Sequence, residues 1–163
     1  MTRNLLILGA GQYGCVVRDI ALATGDFTRI DFLDDHHPDA IGRLADHAQF
    51  AGRYTDALVA IGNPDLRLSL LEALKAHFHR PVLIHPQATV MPSASLQGGC
   101  IVEAQAVVNS HAVLGTGCLV CAGAVVNHNA VLGDGCHIDC LAAVAARSLV
   151  PDRTKVEIGT VYR

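Results

Sequence analysis

The sequence predicts an α/β unit with a parallel sheet over residues 1–83, followed by a parallel β-helix of hexapeptide repeats over residues 84–163. Three observations carry this. From Ile84 an aliphatic residue recurs at every sixth position, through Val90, Leu96, Val102, Val108, Leu114, Val120, Val126, Leu132, Ile138, Val144 and Val150 to Val156. Four residues after each stands a small one, as in Ala88, Cys100, Ala112, Ala124 and Ala142. The first half instead alternates short apolar runs with glycine-containing loops and helix-like segments, the pattern of a parallel α/β sheet.

The spacing explains how the repeat folds. Side chains two residues apart on a strand share a face. Each small residue sits two before the next aliphatic one, so both point inward and the residue between them points out. Three such strands joined by turns close a triangular coil. Coils then stack through parallel hydrogen bonds at about 4.8 Å, giving a prism about 20 Å long. Gly115-Thr116-Gly117 and Gly133-Asp134-Gly135 have the composition of its turns. The interior must be narrow, because aromatics are scarce and Trp is absent. Val107, Val113, Leu119, Val125 and Val131 fall at outward positions and leave apolar surface to cover, which favours association of several prisms.

In the first half, Asn4 to Leu8 reads as a strand, followed by the loop Gly9-Ala10-Gly11-Gln12-Tyr13-Gly14 and a helix to about Thr24. A second strand, Arg29 to Leu33, ends in Asp34-Asp35. A third, Ala57 to Ile61, ends in Gly62-Asn63. Asn63 suits an N-cap and Pro64 a first helical residue, for a helix to about His77. Pro81 to Ile84 reads as a fourth strand leading into the β-helix. The glycine loop after a strand suits a nucleotide phosphate, with glycines allowing close approach and a helix N-terminus favouring an anion. Asp34, 20 residues beyond Gly14, lies where a ribose-binding acid would. A tight turn without a ligand, or an NAD site, fits the same loop taken alone.

Composition excludes other classes. The net charge of −3 argues against a nucleic-acid partner. No apolar run approaches the length of a membrane span. The start, Met1-Thr2-Arg3 before Leu5 to Leu8, is too short in its apolar part for a signal peptide, so a cytoplasmic location is expected. Of the six cysteines, Cys100, Cys118 and Cys136 follow the coil period and read as small buried side chains. Cys118-x-x-Cys121 has the spacing of a metal or redox pair, but no second pair accompanies it, and no metal is expected.

The order of parts resembles the PglD/NeuD family of sugar acetyltransferases. The residues that carry the resemblance are the Gly9–Gly14 loop, Phe32-Leu33-Asp34-Asp35, Ala60-Ile61-Gly62-Asn63 with Arg67, Ile84-His85-Pro86, and Val126-Asn127-His128-Asn129-Ala130-Val131-Leu132-Gly133-Asp134. The resemblance implies a Rossmann-like nucleotide-sugar-binding domain and a left-handed β-helix acyltransferase domain assembled as a homotrimer. It implies acetyl transfer from acetyl-CoA to an amino group on a UDP-linked sugar, or to a hydroxyl on a sialic acid. His128 matches the catalytic base and Asn129 the residue that orients it, where many relatives have an acid. His137 and Ala146 match positions beside acetyl-CoA. Gly9, Gly11, Gln12, Tyr13, Gly14, Asp34, Asp35, Gly62, Asn63 and Arg67 match the sugar-nucleotide site, with Gln12 and Tyr13 departing from the usual residues. Pro151 to Arg163 reads as a shortened final coil. A non-catalytic module that binds a nucleotide-sugar without CoA is the remaining alternative.

Overall fold

The computed structural model describes residues 3–163. It divides into two compact units, one ending at Pro81 and the other spanning Val82–Arg163.

The first unit is built on a three-stranded parallel sheet of order β2-β1-β3. Strand β1 (Asn4–Leu8) lies in the centre, buried from Leu5 onward, as expected for a parallel strand covered on both faces. It pairs with β2 (Arg29–Leu33) on one side and β3 (Asp56–Val59) on the other. Helix α1 (Gln12–Thr24) joins β1 to β2 and ends at Gly25, whose left-handed conformation lets its N–H reach the Leu22 carbonyl. Helix α2 (Pro64–Leu74) follows β3, and the Asn63 side chain caps it by accepting from the Leu66 N–H at 3.0 Å. It stops three residues short of the sequence expectation. The N–H groups of His77 and Phe78 both turn onto the Leu74 carbonyl and close the last turn. A 3-10 helix over Leu44–Phe50, absent from the sequence reading, fills the connection between β2 and β3.

The expected fourth strand needs correcting. Only Leu83–Ile84 is extended and paired, as β4, and its partner is in the second unit. Pro81 has no N–H to give a ladder. In the first unit the corresponding edge is a single bridge between His79 and Asp56.

The second unit contains fourteen two-residue strands, β4 to β17 in chain order. Its first face stacks β4, β7 (Ile101–Val102), β10 (Leu119–Val120), β13 (His137–Ile138) and β16 (Lys155–Val156). Its second stacks β5 (Thr89–Val90), β8 (Val107–Val108), β11 (Val125–Val126), β14 (Ala143–Val144) and β17 (Val161–Tyr162). Its third stacks β6 (Ser95–Leu96), β9 (Val113–Leu114), β12 (Val131–Leu132) and β15 (Leu149–Val150). All pairs are parallel, and Leu119 pairs with His137, eighteen residues on. This is the left-handed parallel β-helix.

From the third corner onward, each corner is a turn with a left-handed residue at its third position. A residue with φ between 58° and 80° recurs at every sixth position from Gly99 to Gly159. Glycine takes that conformation freely, but Gln105, His111, Asn129, Leu141, Arg147 and Arg153 adopt it too. The N–H of this residue also bonds to the coil before, as from Asn129 to the Ser110 carbonyl. Neighbouring corners are held so closely that a Cβ on Gly133 would stand 2.1 Å from Asp152 Oδ1 and 2.7 Å from the Asp152 nitrogen.

The interior follows the repeat. From Cys100 to Val144 every small and every aliphatic inward residue is buried. Each fully buried aliphatic side chain contributes about 1.5–3 kcal/mol. The three stacked cysteines do more than fill space. The thiols of Cys100, Cys118 and Cys136 donate to the carbonyls of Gly115, Gly133 and Pro151 at 3.0, 3.1 and 3.1 Å. They therefore satisfy turn carbonyls from inside, which alanine could not do. One outward position departs from expectation. Leu119 is fully buried, as are Leu83 and Ile101 in the same ladder, so the first face carries a second apolar layer. Val113 and Val131 are exposed as expected, and Val107 and Val125 are half-buried.

Candidate active site

In the first unit the candidate residues gather at one edge of the sheet. The strands are parallel, so the carboxyl ends Leu8, Leu33 and Val59 lie side by side in register. The Gly9–Gly14 loop, Asp34-Asp35 and Gly62-Asn63 all follow these ends. Ligands of open α/β sheets bind outside such an edge.

The glycines of the loop divide by role. A Cβ on Gly14 would stand 2.2 Å from the Gly9 carbonyl oxygen, so Gly14 is required for the strand-to-helix turn itself. Gly9 has φ of 106°, and its N–H bonds to the Leu33 carbonyl at 2.8 Å. Gly11 is exposed, and a Cβ there would meet nothing within 4 Å. It serves as the N-cap of α1 without a side-chain bond, leaving the N-terminus of a thirteen-residue helix open. Gln12 is exposed beside it and Tyr13 half-buried.

Asp34 and Arg67 are placed at the edge but are occupied by the backbone. Asp34 accepts from the N–H groups of Ala10, His36 and His37 at 2.8, 2.9 and 3.0 Å. The bonds from Ala10 and then His36 hold its carboxyl below the usual value. Arg67 is fully buried, and its Nη1 donates to the carbonyls of Ile61 and Gly62 at 2.8 and 2.9 Å. Both residues shape loops. Asp35 is exposed, and its Oδ1 accepts from the Leu44 N–H at 3.1 Å.

In the prism, His128 occupies the corner after β11. Asn127-His128-Asn129-Ala130 forms a turn closed by the Ala130 N–H on the Asn127 carbonyl at 3.2 Å, with Asn129 at φ of 58°. Asparagine is among the few L-residues that adopt this conformation readily. The His128 N–H is fixed by Asn127 Oδ1 at 2.7 Å, and that oxygen also faces Asn109 Nδ2 at 3.4 Å one coil before. The imidazole is half-buried, with Nδ1 3.2 Å from Asn129 Oδ1. An amide oxygen only accepts, so Nδ1 donates in this contact and Nε2 is the ring nitrogen that Asn129 does not hold. The bond fixes the orientation of the ring.

Ser110 and Ala146 stand one coil to either side of His128, and the Arg147 N–H binds the His128 carbonyl at 3.1 Å. The sequence reading gave no role to Asn127, which fixes the His128 N–H, or to Ser110, which the eighteen-residue period places one coil before His128. His137 is elsewhere. It lies in β13 on the first face, with Nε2 3.2 Å from Cys121 Sγ, whereas His128 lies between the second and third faces. A single chain therefore keeps the two histidines on different sides of the prism. His111, one full coil before Asn129, donates its backbone N–H to Ser93 Oγ at 3.2 Å.

A glycine-loop α/β unit followed by a hexapeptide prism with a corner histidine defines a hexapeptide-repeat transferase. Residues 4–74 match the PglD N-terminal domain family. The acetyltransferase domain of PglB from Neisseria gonorrhoeae, solved with acetyl coenzyme A, is 34% identical, with a TM-score of 0.96; the match covers 100% of this chain and 83% of that one. PerB from Caulobacter crescentus, solved with CoA and GDP-perosamine, is 26% identical over 98% of this chain and 88% of that one, with a TM-score of 0.86. A variant of perosamine N-acetyltransferase from the same organism, also with CoA and GDP-perosamine, is 25% identical over 98% of this chain and 88% of that one, with a TM-score of 0.84. No curated protein sequence matches. The chain belongs to the PglD/NeuD family of hexapeptide-repeat sugar acetyltransferases. Among the described residues no helix is long and apolar enough to cross a membrane.

Proposed function

We propose that this chain transfers acetyl from acetyl-CoA to the amino group of a UDP-linked amino sugar, with His128 as general base. The observation that carries the reading is the imidazole of His128, held through Nδ1 by Asn129 at a corner of the prism with Nε2 left for the substrate. The known structures add that relatives bind acetyl-CoA, and that one binds a GDP-linked amino sugar together with CoA.

The reaction is a direct transfer. The sugar amine attacks the thioester carbonyl carbon, His128 Nε2 takes the proton that the nitrogen loses, and the C–S bond breaks to release CoA as thiolate. The imidazolium can then protonate the departing sulfur. Asn129 orients the ring but stabilises imidazolium less than a carboxylate would. The backbone near Ala146, one coil above His128, offers the acetyl oxygen an N–H donor.

The sugar-nucleotide belongs at the sheet edge of the first unit. Its phosphates suit the open N-terminus of α1 at Gly11, Gln12 and Tyr13, and its ribose or base suits exposed Asp35, Gly62 and Asn63. Asp34 and Arg67 act by holding those loops. The active enzyme is a homotrimer in the cytoplasm, in which His137 of one chain can approach the acetyl-CoA served by His128 of another. Val113, Val131 and Leu149, stacked on the third face and exposed by 38%, 39% and 72%, provide apolar surface for that assembly.

The test is acetylation of a panel of UDP- and GDP-linked amino sugars and free sialic acids by wild type and His128→Ala. A UDP-amino sugar should be the best acceptor, and the variant should lose about 10²–10⁴-fold in turnover. Unchanged turnover would remove His128 from the mechanism. Preference for a GDP-sugar or a sugar hydroxyl would correct the acceptor alone.

A further inference from the structure

The corner of the prism that follows the first face carries a set of side chains of which the proposed transfer reaction uses only His137. Glu103, Cys121 and Asp139 occupy the same corner position in three successive coils, since Ile101 pairs with Leu119 and Leu119 with His137. His137 stands two residues before Asp139, and Cys140 directly after it. Two groups form around one sulfur. The ligand atoms of Cys121, His137 and Asp139 all lie within 4.8 Å of one another, and so do those of Glu103, Cys121 and Cys140. Cys121 is only 4% exposed and Glu103 9%, while His137, Asp139 and Cys140 are half-buried and open the corner to solvent.

We propose that this corner is a zinc-type divalent cation site, with the Cys121 thiolate, a His137 ring nitrogen and an Asp139 carboxylate oxygen as ligands. Cys140 and Glu103 gather with Cys121 in a separate triad, so the fourth position of this site is left to a water molecule. The donor set mixes thiolate, imidazole and carboxylate, which suits zinc and disfavours magnesium or calcium. The spacing also suits it. Ligands at opposite corners of a tetrahedral zinc site stand about 3.5 Å apart, and Cys121 Sγ is 3.2 Å from His137 Nε2.

Electrostatics favours a bound cation over a bare thiolate. Burial first, then the neighbouring Glu103, Cys140 and Asp139, push the Cys121 thiol well above its ordinary value. The same crowd of acidic groups that opposes a lone thiolate would stabilise a dication beside it. The carboxylates already have partners: the Cys140 N–H donates to Asp139 Oδ1 at 2.8 Å, the Ala122 N–H to Glu103 Oε2 at 3.0 Å, and Lys155 Nζ lies 3.3 Å from Asp139 Oδ2. It is also 2.8 Å from Glu157 Oε2, so a partner remains when Asp139 turns to the metal. Binding exchanges the Cys121 S–H bond for an S–metal bond and releases about one proton per ion.

The experiment needs no acyl acceptor, so its outcome is independent of the transfer reaction. Zinc is titrated into the reduced full chain, with uptake followed by equilibrium dialysis and proton release by a weakly buffered indicator. Cobalt(II) is then titrated for its thiolate charge-transfer absorption. The expected result is saturable uptake of about one ion per chain with a thiolate–cobalt band. Cys121→Ser should abolish the band, and Cys15→Ser, which alters the exposed cysteine, should keep it. Asp139→Asn should weaken zinc at least about 10-fold. A band that is absent from the wild type, or that survives in Cys121→Ser, overturns the site. Should Cys121→Ser not fold, unchanged zinc affinity in Asp139→Asn overturns it equally.

Discussion

The two units solve the problem of buried polar groups in opposite ways. In the prism the backbone satisfies itself largely through one rule applied coil after coil, and most corners repeat the same turn bond and the same bond to the coil before. In the first unit the loops after the strands follow no rule. Asp34 holds three N–H groups and Arg67 two carbonyls, and at the opposite end of the sheet Asp56, the first residue of β3, sits between Arg3 and His79. Damage to the prism should therefore be graded and local. Damage to a single polar residue of the first unit should be disproportionate.

Replacing Arg67 by Met offers the strongest test of that contrast. It strands the Ile61 and Gly62 carbonyls in a fully buried setting and should destabilise the first unit by about 3 kcal/mol. Hydrogen exchange should rise over residues 3–81 and stay unchanged across the prism core; a uniform rise would show that the units do not respond separately. In the prism, Gly133→Ala forces a Cβ against Asp152 and should cost about 1–3 kcal/mol. Exchange should then increase in the flanking corners alone.

The sequence revealed the two units to unequal depths for the same reason. The prism positions follow from counting, so inward residues, corners and the outward place of His128 were legible from the period. Leu119 was not, because the period says which way a side chain points and not whether something covers it. In the first unit, β1 and β2 were legible as apolar runs bounded by polar residues, and the cap of α2 from Asn63-Pro64. The 3-10 helix at Leu44–Phe50 was not, since its sequence lacks a clear helical stripe. Nor were the roles of Asp34 and Arg67. A motif gives the spacing of an acid or a guanidinium from a glycine loop, but not whether backbone groups already occupy it. The Cys121 corner was equally hidden, since its members are spread over Glu103 to Cys140 and meet only through stacking.

Acid should separate the units further. Burial pushes the Asp56 carboxyl up, but hydrogen bonds from Arg3, Thr55 and His79 outweigh it and hold the group below its ordinary value. Asp34 is depressed by its backbone bonds. A depressed folded value means stability present above the unfolded value of about 3.9 and lost as pH falls through the folded one. Calorimetry should show the first unit melting earlier as pH drops below about 4. In Asp56→Asn that dependence should shrink, and an unaltered profile would point to other groups.

The smallest expected change runs the other way. Leu141 holds a left-handed backbone with its side chain 70% exposed. Leu141→Gly should relieve that conformation and gain up to about 1 kcal/mol in thermal unfolding. A loss would mean that its contact over Gly123 matters more than its backbone.

The corner spacing also governs how the chain can change length. Adding or removing a whole eighteen-residue circuit before Asn127 keeps every later side chain on its original edge and merely raises or lowers it by one storey. Adding or removing six keeps the interior sealed but turns everything downstream by a third of a revolution. His128 would then sit on a different edge of a prism that folds as well as before. A single inserted residue would need to bulge out at a corner to keep the interior intact. Natural and engineered length variation in this unit should accordingly come in eighteens where the histidine is used, and in sixes only beyond Ala146.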